Sequence, residues 1–314
     1  MSMNHLGGLE NYVGPLQLEG FATSYFSAPE QELDQQLFTN TTLKGWVRNG
    51  LLQKLYDFLN AVYRHPDTWT VVWLAGSAVS FQWAADREPG DLDVLIGIDY
   101  IQFRKAHPEY LGLSDVEISK MLNEDFRENL QPEMKDWNGF EVTFYVNPGA
   151  TDIRTIQPYA AYDLTHNEWT VFPKHEGAQT NPAWESAAQK DRSMASDIVM
   201  RYSQALTELQ NSKNDAARRN AESKLQSALT QGSALFEDIH HSRKYAFSKE
   251  GKGYDDFYNY RWQAGKKYGT VPTLRKMAEY LKSYKTKQAD ETYGIDLPDT
   301  QTLIRRAATY RAKG

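Results

Sequence analysis

Three carboxylates and a Gly-Ser pair stand out by type and spacing. Gly76-Ser77 follows a β-branched and aromatic run, Thr68 to Ala75, and 13 residues separate Ser77 from Asp91-Leu92-Asp93-Val94. Farther on, Glu141 sits between Phe140 and Val142. In an extended strand residues i and i+2 share a face, so Asp91 and Asp93 project side by side while Leu92 and Val94 turn to the core. If the strand of Glu141 pairs alongside, its carboxylate joins them. Three carboxylates on one face repel one another, a cost that bound cations remove. Such hard oxygen ligands suit Mg²⁺, which takes a few carboxylates and completes its shell with substrate phosphates. A glycine after a strand permits close backbone approach, and free amides with a serine hydroxyl at the start of a helix can hold phosphates. Gly76 and Ser77 are therefore candidate phosphate-binding residues. Asp91, Asp93 and Glu141 are candidate metal ligands and catalytic groups. A phosphate cradle facing a carboxylate cluster is the equipment of phosphoryl or nucleotidyl transfer.

The elements that must position these groups are legible around them. Val47, Leu51, Leu55, Leu59 and Val62 recur at helical spacing within Leu43–Tyr63, with Asn40-Thr41-Thr42 as capping residues before it. Thr68–Ala75, Asp91–Ile98, Gly139–Val146 and Glu168–Phe172 are predicted strands, and Asp115–Leu130 is a predicted helix. The Gly76-Ser77 pair is expected to open a helix. From about Trp184 the chain turns rich in Ala, Gln, Lys, Glu and Leu, with little Pro or Gly, and helices alone are expected. The fold class is α+β: a mixed β-sheet with flanking helices, followed by an all-helical C-terminal domain. The expected division is residues 1–180, the sheet domain with an N-terminal extension, and residues 181–314, a basic helical domain.

The pattern of an apolar residue, Gly-Ser, a gap of about a dozen residues, Asp-x-Asp between apolar residues and a later strand carboxylate resembles that of the DNA polymerase β-like nucleotidyltransferases. Gly76, Ser77, Asp91, Asp93 and Glu141 occupy those positions over roughly residues 43–175; the gap is long, and the third carboxylate is Glu where Asp is commoner. The resemblance implies an NTP with Mg²⁺ as substrate, and transfer of NMP to an acceptor hydroxyl with release of pyrophosphate. It further implies two ions held by Asp91 and Asp93, one of them shared with Glu141, and a Ser77 hydroxyl on the outer phosphates. ATP is the expected donor. The acceptor stays open among a small molecule, a protein side chain and an RNA end. The alternative is an inactive NTP-binding or protein-interaction module that keeps the fold, although all three carboxylate positions are filled.

Charge divides along the chain. Residues 213–314 hold 20 Lys and Arg against 12 Asp and Glu, while residues 1–212 hold 15 against 29. A triphosphate needs more positive charge than two ions supply, and the basic half offers it. Arg243 and Lys244, in His240-His241-Ser242-Arg243-Lys244-Tyr245, are the candidate phosphate contacts. Lys249, Lys252 and Arg261 follow, and Tyr254 or Trp262 could stack on a base or pack the helical core. Adjacent histidines on a helix point about 100° apart, so His240-His241 is not expected to hold a metal.

The remaining composition sets bounds. The chain has 314 residues, enough for about two domains, and no cysteine, which excludes disulfides, thiolate metal sites and cysteine nucleophiles. Its net charge of −6 argues against coating long DNA. No apolar run approaches the roughly 18 residues of a membrane span. Residues 1–5 lack the basic, apolar start of a secretory signal, so a cytoplasmic setting is expected.

Overall fold

The computed structural model describes residues 9–83, 90–148, 151–293 and 300–311. The chain forms two compact units. One comprises Ser24–Ala178, Phe247–Tyr254 and Pro298–Gly314 and holds the sheet; the other comprises Met1–Thr23, Gln179–Ala246 and Asp255–Leu297 and is helical. A single division at 180 therefore leaves out three exchanges. The N-terminal segment belongs with the helices, while a short segment near 250 and the last helix belong with the sheet.

In the sheet unit a two-stranded hairpin, β1 (Phe38–Thr39) and β2 (Thr42–Leu43), precedes α1 (Gly45–Val62). Asn40, expected as a cap, instead takes a left-handed φ of 54° in the two-residue turn of that hairpin. Turns of this type favour asparagine because its short polar side chain tolerates positive φ. Helix α1 buries Val47, Leu51, Leu55 and Leu59. Next come β3 (Thr70–Ala75), β4 (Gly90–Ile98), α2 (Tyr100–Ala106), α3 (Asp115–Asp125), β5 (Phe140–Val146), β6 (Ala161–Asp163) and β7 (Glu168–Val171). Helix α3 starts in a Ser114/Glu117 capping box and runs into a π-helical turn, Phe126–Leu130.

The five strands lie in the order β5-β4-β3-β6-β7. Strand β3 is antiparallel to both β4 and β6, β6 is antiparallel to β7, and β4 runs parallel to β5. The parallel pair requires a long crossover, which α2 and α3 provide. One face is apolar. Val72, Leu74, Leu92, Val94, Ile96, Val142, Phe144 and Val146 are each at most 2% exposed and pack with α1 and α3. At about 1.5–3 kcal/mol per fully buried large apolar side chain, this face dominates the unit's stability. Strand β5 alternates buried and exposed residues throughout, which fixes its register.

The sheet unit is completed by α8 (Thr300–Arg311), whose Ala308 is fully buried in the same core. Arg305 of α8 donates to both carboxylate oxygens of Asp125 at 3.2 and 3.0 Å, and the Tyr63 hydroxyl donates to the same carboxylate. Burial pushes the Asp125 pKa up, against the opposing pull of Tyr63 and Arg305.

In the helical unit α4 (Pro182–Gln210), α5 (Asp215–Ala246), α6 (Phe257–Lys267) and α7 (Thr270–Tyr293) enclose a second core around Tyr202, Leu225, Leu229, Leu274 and Met277. Residues 9–23 bind across it: Tyr202 donates to the Gly14 carbonyl at 2.6 Å and Thr273 to the Gln17 carbonyl at 2.7 Å. Arg261 donates to Asp191 at 2.6 and 2.9 Å and lies 2.7 Å from Asp238. Among the described residues no helix is long and apolar enough to cross a membrane.

Candidate active site

The carboxylates and the Gly-Ser turn meet on the sheet face opposite the main core. In the parallel β4/β5 pair Asp91 stands opposite Glu141 and Asp93 opposite Thr143; across the antiparallel pair Asp93 stands opposite Ala75. Neighbouring strands lie about 4.8 Å apart and i, i+2 residues about 7 Å apart, so the three acids occupy one corner of the sheet. Leu92, Val94, Phe140 and Val142 are buried on the other face, while Asp91 is half-buried and Asp93 and Glu141 are exposed. Strand alternation and register alone produce this arrangement.

Gly76 joins the group through its backbone. Its φ of 88° and ψ of −165° fall in a region that only glycine populates readily. A Cβ at this position would lie 2.7 Å from Asp93 Oδ2 and 3.4 Å from Asp93 Cβ and Cγ. The turn thus passes against the Asp93 carboxylate with no room for a side chain. Gly76→Ala is expected to cost about 1–3 kcal/mol in backbone strain and to displace Asp93. Thermal unfolding measures the first effect and activity the second.

The helix expected from Ser77 is a single 3₁₀ turn, Ser77–Val79. Ser80 ends it: its backbone is extended, and both its N–H (3.0 Å) and its hydroxyl (2.9 Å) donate to the Ser77 carbonyl. The turn's own amides and the half-buried Ser77 hydroxyl thus have no helix terminus behind them.

Beyond the acids the same face is covered. Trp73, Ala75 and Ala161 pack with Ile153, Ile156 and Phe247. Phe247 introduces a segment that sequence composition assigns to the helical domain but that belongs to the sheet unit. Gly253, at φ 61°, packs so tightly that a Cβ would lie 2.2 Å from the Gln157 carbonyl oxygen. The Tyr254 ring lies 4.3 Å from that of Tyr159 and 4.9 Å from that of Tyr25. Lys249 and Lys252 ride on this segment, which places two cations on the sheet unit itself.

Arg243 and Lys244 belong to the helical unit, in the last turn of α5. Lys244 is exposed, whereas the Arg243 guanidinium lies 5.0 Å from the centre of the Trp262 ring. Trp262 is 4% exposed and packs in the helical core, so it offers no free face for a base. Arg261 is committed to Asp191 and Asp238. Tyr162 is buried against Phe38 and Trp169, and Asp152 pairs with Arg154 at 2.9 Å. Among the buried acids that sequence inspection passed over is Asp163 of β6, whose carboxylate accepts from the His166 N–H at 2.8 Å and pairs with its ring at 2.9 Å. That bond raises the His166 pKa.

Among the described residues no three His, Asp or Glu side chains already close around a point as a metal cage. Asp91, Asp93 and Glu141 share a face and carry the hard oxygen atoms that a divalent cation takes. No protein family, curated protein or solved structure matches the chain.

Proposed function

We propose that the sheet unit is a nucleotidyltransferase core that transfers NMP, with ATP as the expected donor, to an acceptor hydroxyl and releases pyrophosphate. The observation that carries this reading is the contact between Gly76 and Asp93. A Gly-Ser turn in a glycine-only conformation is pressed against one member of an Asp-x-Asp pair whose other member faces Glu141. The order of β3, β4 and β5, with the middle strand antiparallel to one neighbour and parallel to the other, supports the same reading.

Asp91, Asp93 and Glu141 would hold Mg²⁺, which supplies charge stabilisation at the phosphates and eases ionisation of the acceptor hydroxyl. The acceptor oxygen forms a bond to the α-phosphorus as the bond to the bridging α–β oxygen breaks, and pyrophosphate departs with that electron pair. Glu141, exposed at the edge of the group, is positioned to take the acceptor's proton. The Ser77 hydroxyl and the amides of its turn orient the outer phosphates. Further positive charge on the sheet unit itself comes from Lys249 and Lys252 of the 247–254 segment.

The test is incubation of the full chain with Mg²⁺ and each α-labelled NTP, with and without RNA, with pyrophosphate and labelled product as readouts. Pyrophosphate release that requires Mg²⁺ is expected. Nucleotide binding without any release would identify an inactive nucleotide-binding module instead, and the absence of both would sink the reading.

A further inference from the structure

A concavity of about 530 Å³ opens on the sheet unit among residues that precede α1, with Gln31, Thr39, Asn40, Thr41, Lys44 and Phe81 on its walls. A second depression, of about 410 Å³, shares Gln31, Glu32, Leu33 and Gln35 with it and adds Trp83, so the two form one trough. The first volume alone is within the range of small-molecule sites, about 300–1,000 Å³.

The chemistry of the walls narrows the ligand. The side chains of Gln31, Thr39, Asn40 and Thr41 hydrogen-bond to no described residue, leaving amide and hydroxyl groups that can both donate and accept. The Lys44 ammonium is engaged on the Gln35 carbonyl, and Glu30 and Glu32 make the second depression acidic. A phosphate ester or a nucleic-acid strand would meet repulsion there. Phe81 and Trp83 are half-buried and offer apolar ring surface among the polar groups. Neutral donors and acceptors around partly open aromatic rings match a molecule with many hydroxyls on an apolar carbon frame. The trough is tied to the Gly-Ser turn: Phe81 follows Ser77 by four residues, at most about 14 Å of chain, and its carbonyl accepts the Glu30 N–H at 2.7 Å.

We propose that this trough binds an uncharged, multiply hydroxylated small molecule, saccharide-like in its chemistry. The site stands without the nucleotidyl-transfer reading.

The test is binding of the full chain, without nucleotide, to an array of neutral oligosaccharides, followed by calorimetric titration of each glycan retained. At least one neutral glycan should be retained. Gln31→Ala and Thr41→Ala, both at exposed positions that leave the fold intact, should each weaken its binding at least about fivefold, a loss on the scale of one or two neutral hydrogen bonds. A sulfated oligosaccharide and an RNA oligonucleotide should not compete. Retention of no neutral glycan, or unchanged binding in both variants, would overturn the proposal. Because nucleotide is absent, neither result bears on transfer activity.

Discussion

Replacing Asp91 and Asp93 together by asparagine is expected to lower Mg²⁺-dependent pyrophosphate release by about 10³-fold or more. Carboxylate-held cations contribute several kcal/mol of transition-state stabilisation, and each 1.36 kcal/mol is a factor of ten in rate. The variant should remain folded. Both side chains lie on the face away from the core. Thermal unfolding and circular dichroism of the variant check that it is folded before its rate is compared. A folded variant that turns over as fast as the parent would remove the carboxylates from the chemistry.

The largest stability effect is expected at Arg305→Met. Asp125 is 3% exposed, and its two charged or polar partners are Tyr63 and Arg305. Loss of one partner of a fully buried pair costs about 3–5 kcal/mol. The Arg305 side chain keeps 41% exposure, so screening reduces the expected loss to about 2–3 kcal/mol. The midpoint of thermal unfolding should fall by roughly 5–10 °C. Acid should narrow the gap. Burial already raises the Asp125 pKa, and removal of the guanidinium raises it further. A raised carboxyl pKa means that the folded state takes up its proton first, so stability is gained as pH falls through that value and lost as pH rises through it. Urea unfolding at neutral pH and in mild acid measures this. A deficit that does not shrink in acid would show that Asp125 is not the group left unpaired.

The placement of the three acids on one face was legible because its information is local. Strand alternation around Leu92 and Val94, and around Phe140 and Val142, already sets the three acids on one face, and a Gly-Ser step after a strand marks a tight approach. What sequence inspection missed depends on distant partners. Strand β6 has three residues, Ala161-Tyr162-Asp163, too few to show a period, and exists because β3 leaves a free edge for it. Ser77 lacks the helix expected after it because Ser80 hydrogen-bonds back and ends the turn, a competition that residue type alone does not decide. Arg261 reads as one more basic group, and Trp262 as a ring for either a base or the core, until Asp191, Asp238 and the helical core claim them. The segment around Phe247 carries the composition of its helical neighbours, and only its packing against Trp73 and Ile156 assigns it to the sheet.

That exchange of segments sets an order on biosynthesis. The strands of the sheet unit are synthesised by Ala178, yet Phe247, which packs in one of its clusters, is made only after α4 and α5, and Ala308, buried in another, only after α4 to α7. Until then the nascent strands expose the apolar surfaces those residues cover, and the last contacts join segments far apart in sequence. Contacts of such separation form slowly and leave intermediates open to aggregation. A fragment ending at 178 should therefore express poorly or depend on chaperones. Co-expression of residues 179–314 in trans is the arrangement most apt to rescue it.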